Sequence, residues 1–218
     1  MKKKYITIGL IILFVALLVA GVIIGKNYGD SKENTIINSE QKTDVNVAEW
    51  LKITKICEYD GNLAVVVKNE SDIDVEYASL TVKNKEKTLS FDISVLLSGT
   101  EMMLVCNENV KFDPNAIYTG WETDNIIYFE KTPIINDEKI EVSLTEGSIS
   151  VRNMSAEDIT SDIVICYKEK TDGVLNGSMT HRVRVSGLKS GAQTYIKIKE
   201  FDKNICQIMY IAYDDKEV

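Results

Sequence analysis

Three short motifs occur twice in this 218-residue chain, in the same order both times. Val67-Lys68-Asn69-Glu70-Ser71 followed by Asp72-Ile73 returns as Val151-Arg152-Asn153-Met154-Ser155 followed by Asp158-Ile159. Leu97-Ser98-Gly99-Thr100 returns as Lys189-Ser190-Gly191-Ala192, and Phe112-Asp113-Pro114-Asn115 as Phe201-Asp202-Lys203-Asn204. The paired motifs stand 84, 92 and 89 positions apart, so order is kept while loop lengths drift. Ordered self-similarity of this kind marks a duplicated structural unit. It divides the chain near Pro133 into a first module, residues 47–132, and a second, residues 133–218.

The period inside each unit is that of β structure. Leu89, Phe91, Ile93 and Val95 alternate with their neighbours in one segment, and Ile140, Val142 and Leu144 do so in another, as half-buried strands require. Asp60-Gly61, Asp172-Gly173 and Asn176-Gly177 supply hairpin-type turn signals. In the repeated pieces, Val-Lys/Arg-Asn-x-Ser closes a strand with polar groups that satisfy free backbone amides at a turn. The Ser-Gly element then lets the chain reverse, because glycine tolerates positive φ. The expectation is an all-β fold, two tandem immunoglobulin-like β-sandwich modules.

The order strand, Val-Lys-Asn-x-Ser, long strand, Ser-Gly, strand resembles a bacterial family of small β-sandwich modules. These are the FxLYD domains and related immunoglobulin-like ectodomains. The stretch nearest to the Phe-x-Leu-Tyr-Asp signature is Ile165-Cys166-Tyr167-Lys168. The resemblance covers both repeats, and it implies placement at the cell envelope and no particular activity.

A second feature fixes the expected location. Tyr5 to Gly25, YITIGLIILFVALLVAGVIIG, runs 21 residues without a charge. As a helix it would be about 31 Å long, the thickness of a bilayer's hydrocarbon core. Lys2, Lys3 and Lys4 precede it, and the positive-inside rule keeps such a flank in the cytoplasm. A cleaved signal peptide has a shorter apolar core and a small-x-small site beyond it. Here the best such site, Val19-Ala20-Gly21, lies inside the run. No Cys follows for lipid attachment, and no early Glu marks a pilin. Residues 1–4 are therefore expected as a cytoplasmic tail and 5–25 as an uncleaved transmembrane signal-anchor helix. Residues 26–46, polar and aperiodic, are expected as a flexible linker, with the rest of the chain extracellular.

The 193 residues after the apolar run hold 22 bases against all 33 acids, a net of −11. With a pI near 4.9 there is no basic stripe to neutralise phosphates, which excludes a nucleic-acid partner. One His and no CxxC pair leave zinc and thioredoxin-like chemistry without ligands. The acids at Asp72, Asp74 and Glu76, at Glu122 and Asp124, and at Asp214, Asp215 and Glu217 lack the spaced pattern of a calcium loop. They read as solvated strand faces and a terminus, and no metal or cofactor is expected.

Candidate functional residues are few. His181 has no nucleophile motif beside it and reads as a surface or loop residue. Cys57, Cys106, Cys166 and Cys206 fall two per module. They fit either disulfides of an exported protein, paired Cys57–Cys106 and Cys166–Cys206, or four small buried hydrophobes. Cys57 precedes the Val-Lys-Asn motif and Cys166 follows its counterpart, which weighs against an ancestral bridge. Tyr118, Trp121, Tyr128 and Phe129, clustered in IYTGWETDNIIYFEK, form the candidate interaction surface, because aromatics dominate binding hot spots. The same residues also suit hairpin or inter-module filling, and Trp50 reads as core. The sequons at Asn69, Asn153 and Asn176 matter only in a glycosylating pathway, and heavy use of Ile, Lys and Asn suggests a bacterium.

The combined expectation is a single-pass, membrane-anchored extracytoplasmic protein, not an enzyme, whose modules bind another protein or a wall component. Exposed sheet edges offer it a route, by adding a partner's strand. A four-residue tail leaves no room for a cytoplasmic effector domain. One alternative is an accessory subunit of a membrane complex, recruited through the anchor. A less favoured one is a wall-active hydrolase using Asp113 and Asp202, although duplication of both acids argues that they serve folding.

Overall fold

The computed structural model describes residues 40–214. The expected cytoplasmic tail, membrane helix and residues 26–39 of the linker lie outside the described residues. Those described are all-β, with no helix long and apolar enough to cross a membrane.

The N-terminal half holds β1 (Glu40–Asn46), β2 (Leu51–Tyr59), β3 (Asn62–Asn69), β4 (Val75–Asn84), β5 (Lys87–Leu96), β6 (Glu101–Val105) and β7 (Thr119–Tyr128). The C-terminal half holds β8 (Ile140–Thr145), β9 (Ser148–Asn153), β10 (Ile159–Thr171), β11 (Val174–Asn176), β12 (His181–Leu188), β13 (Gln193–Lys197) and β14 (Cys206–Asp214). β1 corrects one expectation: the last seven residues of the supposed linker pair antiparallel with β2, Glu40 opposite Cys57 and Asn46 opposite Lys52. An edge strand needs backbone partners on one side only, so a polar segment can form one without an apolar period.

Both halves are wired alike. In the first, β2, β3 and β6 make one sheet and β5, β4 and β7 another; in the second, β8, β9 and β13 make one and β12, β10 and β14 the other. The alternating apolar side chains of β2 and β3 meet those of β4 and β5 in one buried cluster around Phe91. In the second half Ile149 and Val151 of β9 meet Ile163, Ile165 and Tyr167 of β10 in a separate cluster. Period-two strands bury one face, and these clusters are where the two faces come together.

The duplicated motifs are duplicated hydrogen-bond staples. Asn69 is fully buried; its Nδ2 donates to the carbonyls of Ile73 (2.8 Å) and Leu96 (3.2 Å), and its Oδ1 accepts from the Ser71 amide (3.0 Å) and hydroxyl (2.9 Å). Asn153, equally buried, repeats all four contacts with Glu157 (2.8 Å), Leu188 (3.0 Å) and Ser155 (2.8 and 2.7 Å). The Ser-Gly element closes each staple. Ser98 donates its amide to Asp74 and its hydroxyl to the Ser71 carbonyl, and Ser190 does the same with Asp158 and Ser155. Asp113 and Asp202 each accept the amide two residues on, from Asn115 and Asn204, as Asx turns do. Two sequon asparagines are thus structural, and the duplicated aspartates cap turns.

Asp60-Gly61 and Asp172-Gly173 have positive φ at both residues and form the expected tight turns, β2 to β3 and β10 to β11. Asn176-Gly177 does not, which corrects the third turn. Gly177 is there because a Cβ at that position would sit 2.3 Å from Leu104 Cδ2 and 2.8 Å from Met102 Sδ.

That close approach belongs to an arm that only the second half has. The first half links β4 to β5 in a tight hairpin, Asn84 opposite Lys87. The second inserts β11 between β10 and β12. β11 pairs antiparallel with the end of β10 and parallel with β6, Leu175 opposite Met102, so one sheet runs from the first half into the second. Gly177 fastens the arm: its amide donates to the Met103 carbonyl (2.7 Å), and its carbonyl accepts from Ser94 (3.0 Å). Cys166, Leu175, Met209 and Tyr210 of the second half complete the first half's core.

Candidate interaction surface

The four aromatics expected to form a surface are divided by the fold. Tyr118, Trp121 and Phe129 pack against the first half's core. Trp121 lies 6.2 Å from the Phe91 ring and 6.4 Å from Tyr118, and Phe129 meets Tyr210 edge-on at 5.2 Å. The Tyr118 hydroxyl is buried without a hydrogen-bond partner among the described residues, and burial, then the nearby Asp113 charge, pushes its pKa up. Tyr128 alone is exposed, at 46%, beside Ile127 at 52%. Phe129 serves as inter-half filling.

The cysteines are all buried. Cys57 lies in a small cluster with Ala64, Val66 and Met103, while Cys106 belongs to the first half's main core. Cys166 faces that same core, while Cys206 faces the second half's. Each within-module pair therefore has its members in different clusters. Burial raises the pKa of the Cys106, Cys166 and Cys206 thiols, which keeps them protonated and poor nucleophiles at neutral pH. His181 is half-buried and stacks on Tyr167, with ring centroids 4.9 Å apart. Its place at the start of β12, opposite Tyr167, accounts for the contact.

Lys168, which sequence reasoning passed over, is the most unusual charged group described. It is fully buried, and its Nζ donates to three carbonyls of the arm, those of Asn176 (3.1 Å), Gly177 (3.2 Å) and Met179 (2.8 Å). An ammonium has three protons, and all three are used. Burial pulls the pKa down to about 7. The carbonyls, which only accept, favour the protonated form. Lys168 is an internal clasp for the arm, out of reach of any substrate. Its signal was in the repeat spacing: the interval grows from 84 to 92 between the first and second motifs, and the added residues are the arm.

The accessible features gather on the sheet β8–β9–β13. Its counterpart, β2–β3–β6, is covered at both edges, by β1 on β2 and β11 on β6. Among the described residues no strand pairs with the outer edge of β8 or of β13. Beside β8 opens a cleft of about 540 Å³, with Ile135, Ile140, Val142, Met154, Ile208 and Ile211 among its lining. A second cleft, of about 550 Å³, adjoins it and includes Lys139, Glu157, Asp158 and Tyr213. Between the two, the Tyr213 hydroxyl donates to Asp137 (2.6 Å). Burial and that bond push the phenol pKa well up.

No protein-family model matches the chain, and no curated protein sequence matches it.

Proposed function

We propose that this chain is a single-pass membrane protein with immunoglobulin-like β-sandwich modules at residues 47–132 and 133–218. In this reading the modules stand outside the cell and bind a protein or cell-wall partner without catalysis. The uncharged run at 5–25 and the lysines before it support the anchor and its direction. The matched wiring and matched Asn–Ser staples of the two halves support the division into modules. The observation that carries the binding role is the sheet β8–β9–β13: no described strand pairs with its two outer edges, whereas those of its counterpart are covered. Unpaired edges recruit strands, and among the described residues two edges are covered while the equivalent two are left to offer.

Crosslinking in intact cells, recovery of the tagged protein and mass spectrometry test this reading. The expected result is a reproducible partner joined through residues 133–218. Recovery of bare monomer or self-crosslinked chain alone would sink a protein partner and point to a wall polymer instead. Protease added to intact cells should remove a C-terminal tag, and protection of the tag would overturn the placement outside. If partner recovery disappears when residues 5–25 are replaced by an unrelated membrane helix, the accessory-subunit reading takes precedence.

A further inference from the structure

We infer that the open edge of β8 and the cleft beside it dock an extended peptide segment with alternating apolar and basic side chains, added to the sheet as an antiparallel strand. This rests on the binding role above and names the chemistry of the partner. The duplication supplies the first reason. β8 stands in its half where β2 stands in the other, and the outer edge of β2 is completed by an antiparallel strand, β1. The chain carries its own example of what this edge accepts.

The cleft supplies the second. Ile135 and Met154 are 56% and 52% exposed at its mouth, a large apolar area for side chains that nothing described covers. Ile140 and Val142 of β8 face the interior, while Glu141 between them and Ser143 just after are exposed. A strand added to β8 keeps that alternation. Every second side chain of the incoming segment then lies over the cleft, and those between lie beside Glu141.

Charge supplies the third. Asp137, Glu138 and Glu141 border this edge against two bases, Lys139 and, across the sheet from Glu141, Arg152. Asp137 is held by Tyr213 and by the Lys139 amide (2.7 Å), whereas Glu138 and Glu141 make no ion pair among the described residues. Basic side chains on the added strand would meet these carboxylates. Two copies pairing β8 to β8 would instead bring like charges together, which cross-strand neighbours disfavour. The outer edge of β13, with Gln193, Tyr195 and Lys197 exposed, has no acid of its own to select a basic partner.

The test uses the full chain in detergent micelles and fluorescence anisotropy of labelled peptides roughly eight residues long, enough to span an edge strand. One alternates Val and Lys, one has the same composition in two blocks, and one alternates Val and Glu. The alternating Val–Lys peptide should bind about tenfold tighter than either other, because both pattern and charge are read. Glu141→Lys and Met154→Arg, both at exposed positions, should each weaken it about tenfold, while Glu122→Lys on β7, equal in net charge change, should not. Equal binding of the alternating and blocked Val–Lys peptides would overturn the site, reducing the attraction to net charge. So would equal losses in Glu141→Lys and Glu122→Lys. A photo-crosslinker at Ser143 separates this inference from the binding role in cells. Silence there with a partner still caught through residues 47–132 fails the β8 site alone; no partner anywhere fails both that site and a protein partner.

Discussion

The two halves of this molecule share their wiring and their Asn–Ser staples, and differ in what surrounds one sheet. In the first half β2–β3–β6 is enclosed, by β1 at one edge and by the β11 arm at the other. In the second half no described strand encloses β8–β9–β13 at either edge. The staples use side chains to satisfy backbone groups inside each half, so the fold closes without help from its edges. Edges then become free to vary. One half uses them to build an intramolecular assembly, and the other leaves them available. The difference lies in short additions to a common frame: seven residues of β1 and the arm.

If the arm makes the enclosed half what it is, cutting its clasp should give the largest effect. Lys168→Ala removes a fully buried side chain and strips three carbonyls of their donor. Lost packing and unsatisfied acceptors together should cost about 4 kcal/mol in urea unfolding. A loss below about 1 kcal/mol would mean that the arm is held by β11 pairing alone, and that the clasp is incidental.

The shared frame is tested by treating its two copies alike. Asn69→Ala and Asn153→Ala each remove a buried amide that makes four hydrogen bonds. Each should cost about 3 kcal/mol, because the backbone groups left behind stay buried. The two losses should agree. If one substitution proved neutral while the other unfolded the protein, the staples would be equivalent in geometry only, and the duplication would not explain stability.

The frame was legible in the sequence because the groups that build it act locally. Asn, Ser and Asp bond to backbone within a few residues, so the motif and its hydrogen bonds occupy the same short stretch. β5 and β8 were legible too, since a half-buried strand writes its period directly. β7 was not. Gly120 and Asn125 take positive φ, and its pairing with β4 shifts register three times. Its inward residues fall at Trp121 and Ile126, with Tyr118 and Phe129 packed inward just beyond its ends, at spacings no strand period predicts. A cluster that looked like a surface therefore mostly packs, half-buried, against the core. The open edge of β8 was invisible for another reason: an edge is defined by what fails to pair with it, and only tertiary structure decides that. β1 escaped because polar edge strands carry no apolar period.

The arm's fit against β6 gives a smaller effect. Gly177→Ala places a methyl where Leu104 and Met102 already stand, so the arm must move off or the core must shift. Overpacking of this kind should cost about 2 kcal/mol, less than losing the clasp. Gly173→Ala, with open space around it, strains only its own positive φ and should cost about 1 kcal/mol. Equal losses from the two would show that the contact with β6 is loose, which would weaken the contrast between enclosed and open edges.

The smallest effect concerns pH and follows from Lys168 having no counterpart in the tight β4–β5 hairpin. Burial pulls its folded-state pKa to about 7, against 10.5 for an ordinary lysine. Between those values the unfolded chain binds the proton that the folded chain has released. Stability from this group is therefore lowest below pH 7 and rises as pH climbs towards 10.5. The three carbonyls oppose the loss of the proton, so the rise should stay under about 1 kcal/mol between pH 7 and 9. Urea unfolding of the wild type and of Lys168→Met at both pH values isolates it, because the cysteines and tyrosines titrate in both proteins and cancel. The wild type should gain on the variant from pH 7 to 9. An unchanged gap would mean that the carbonyls have cancelled the effect of burial, and that the clasp stays charged across the range.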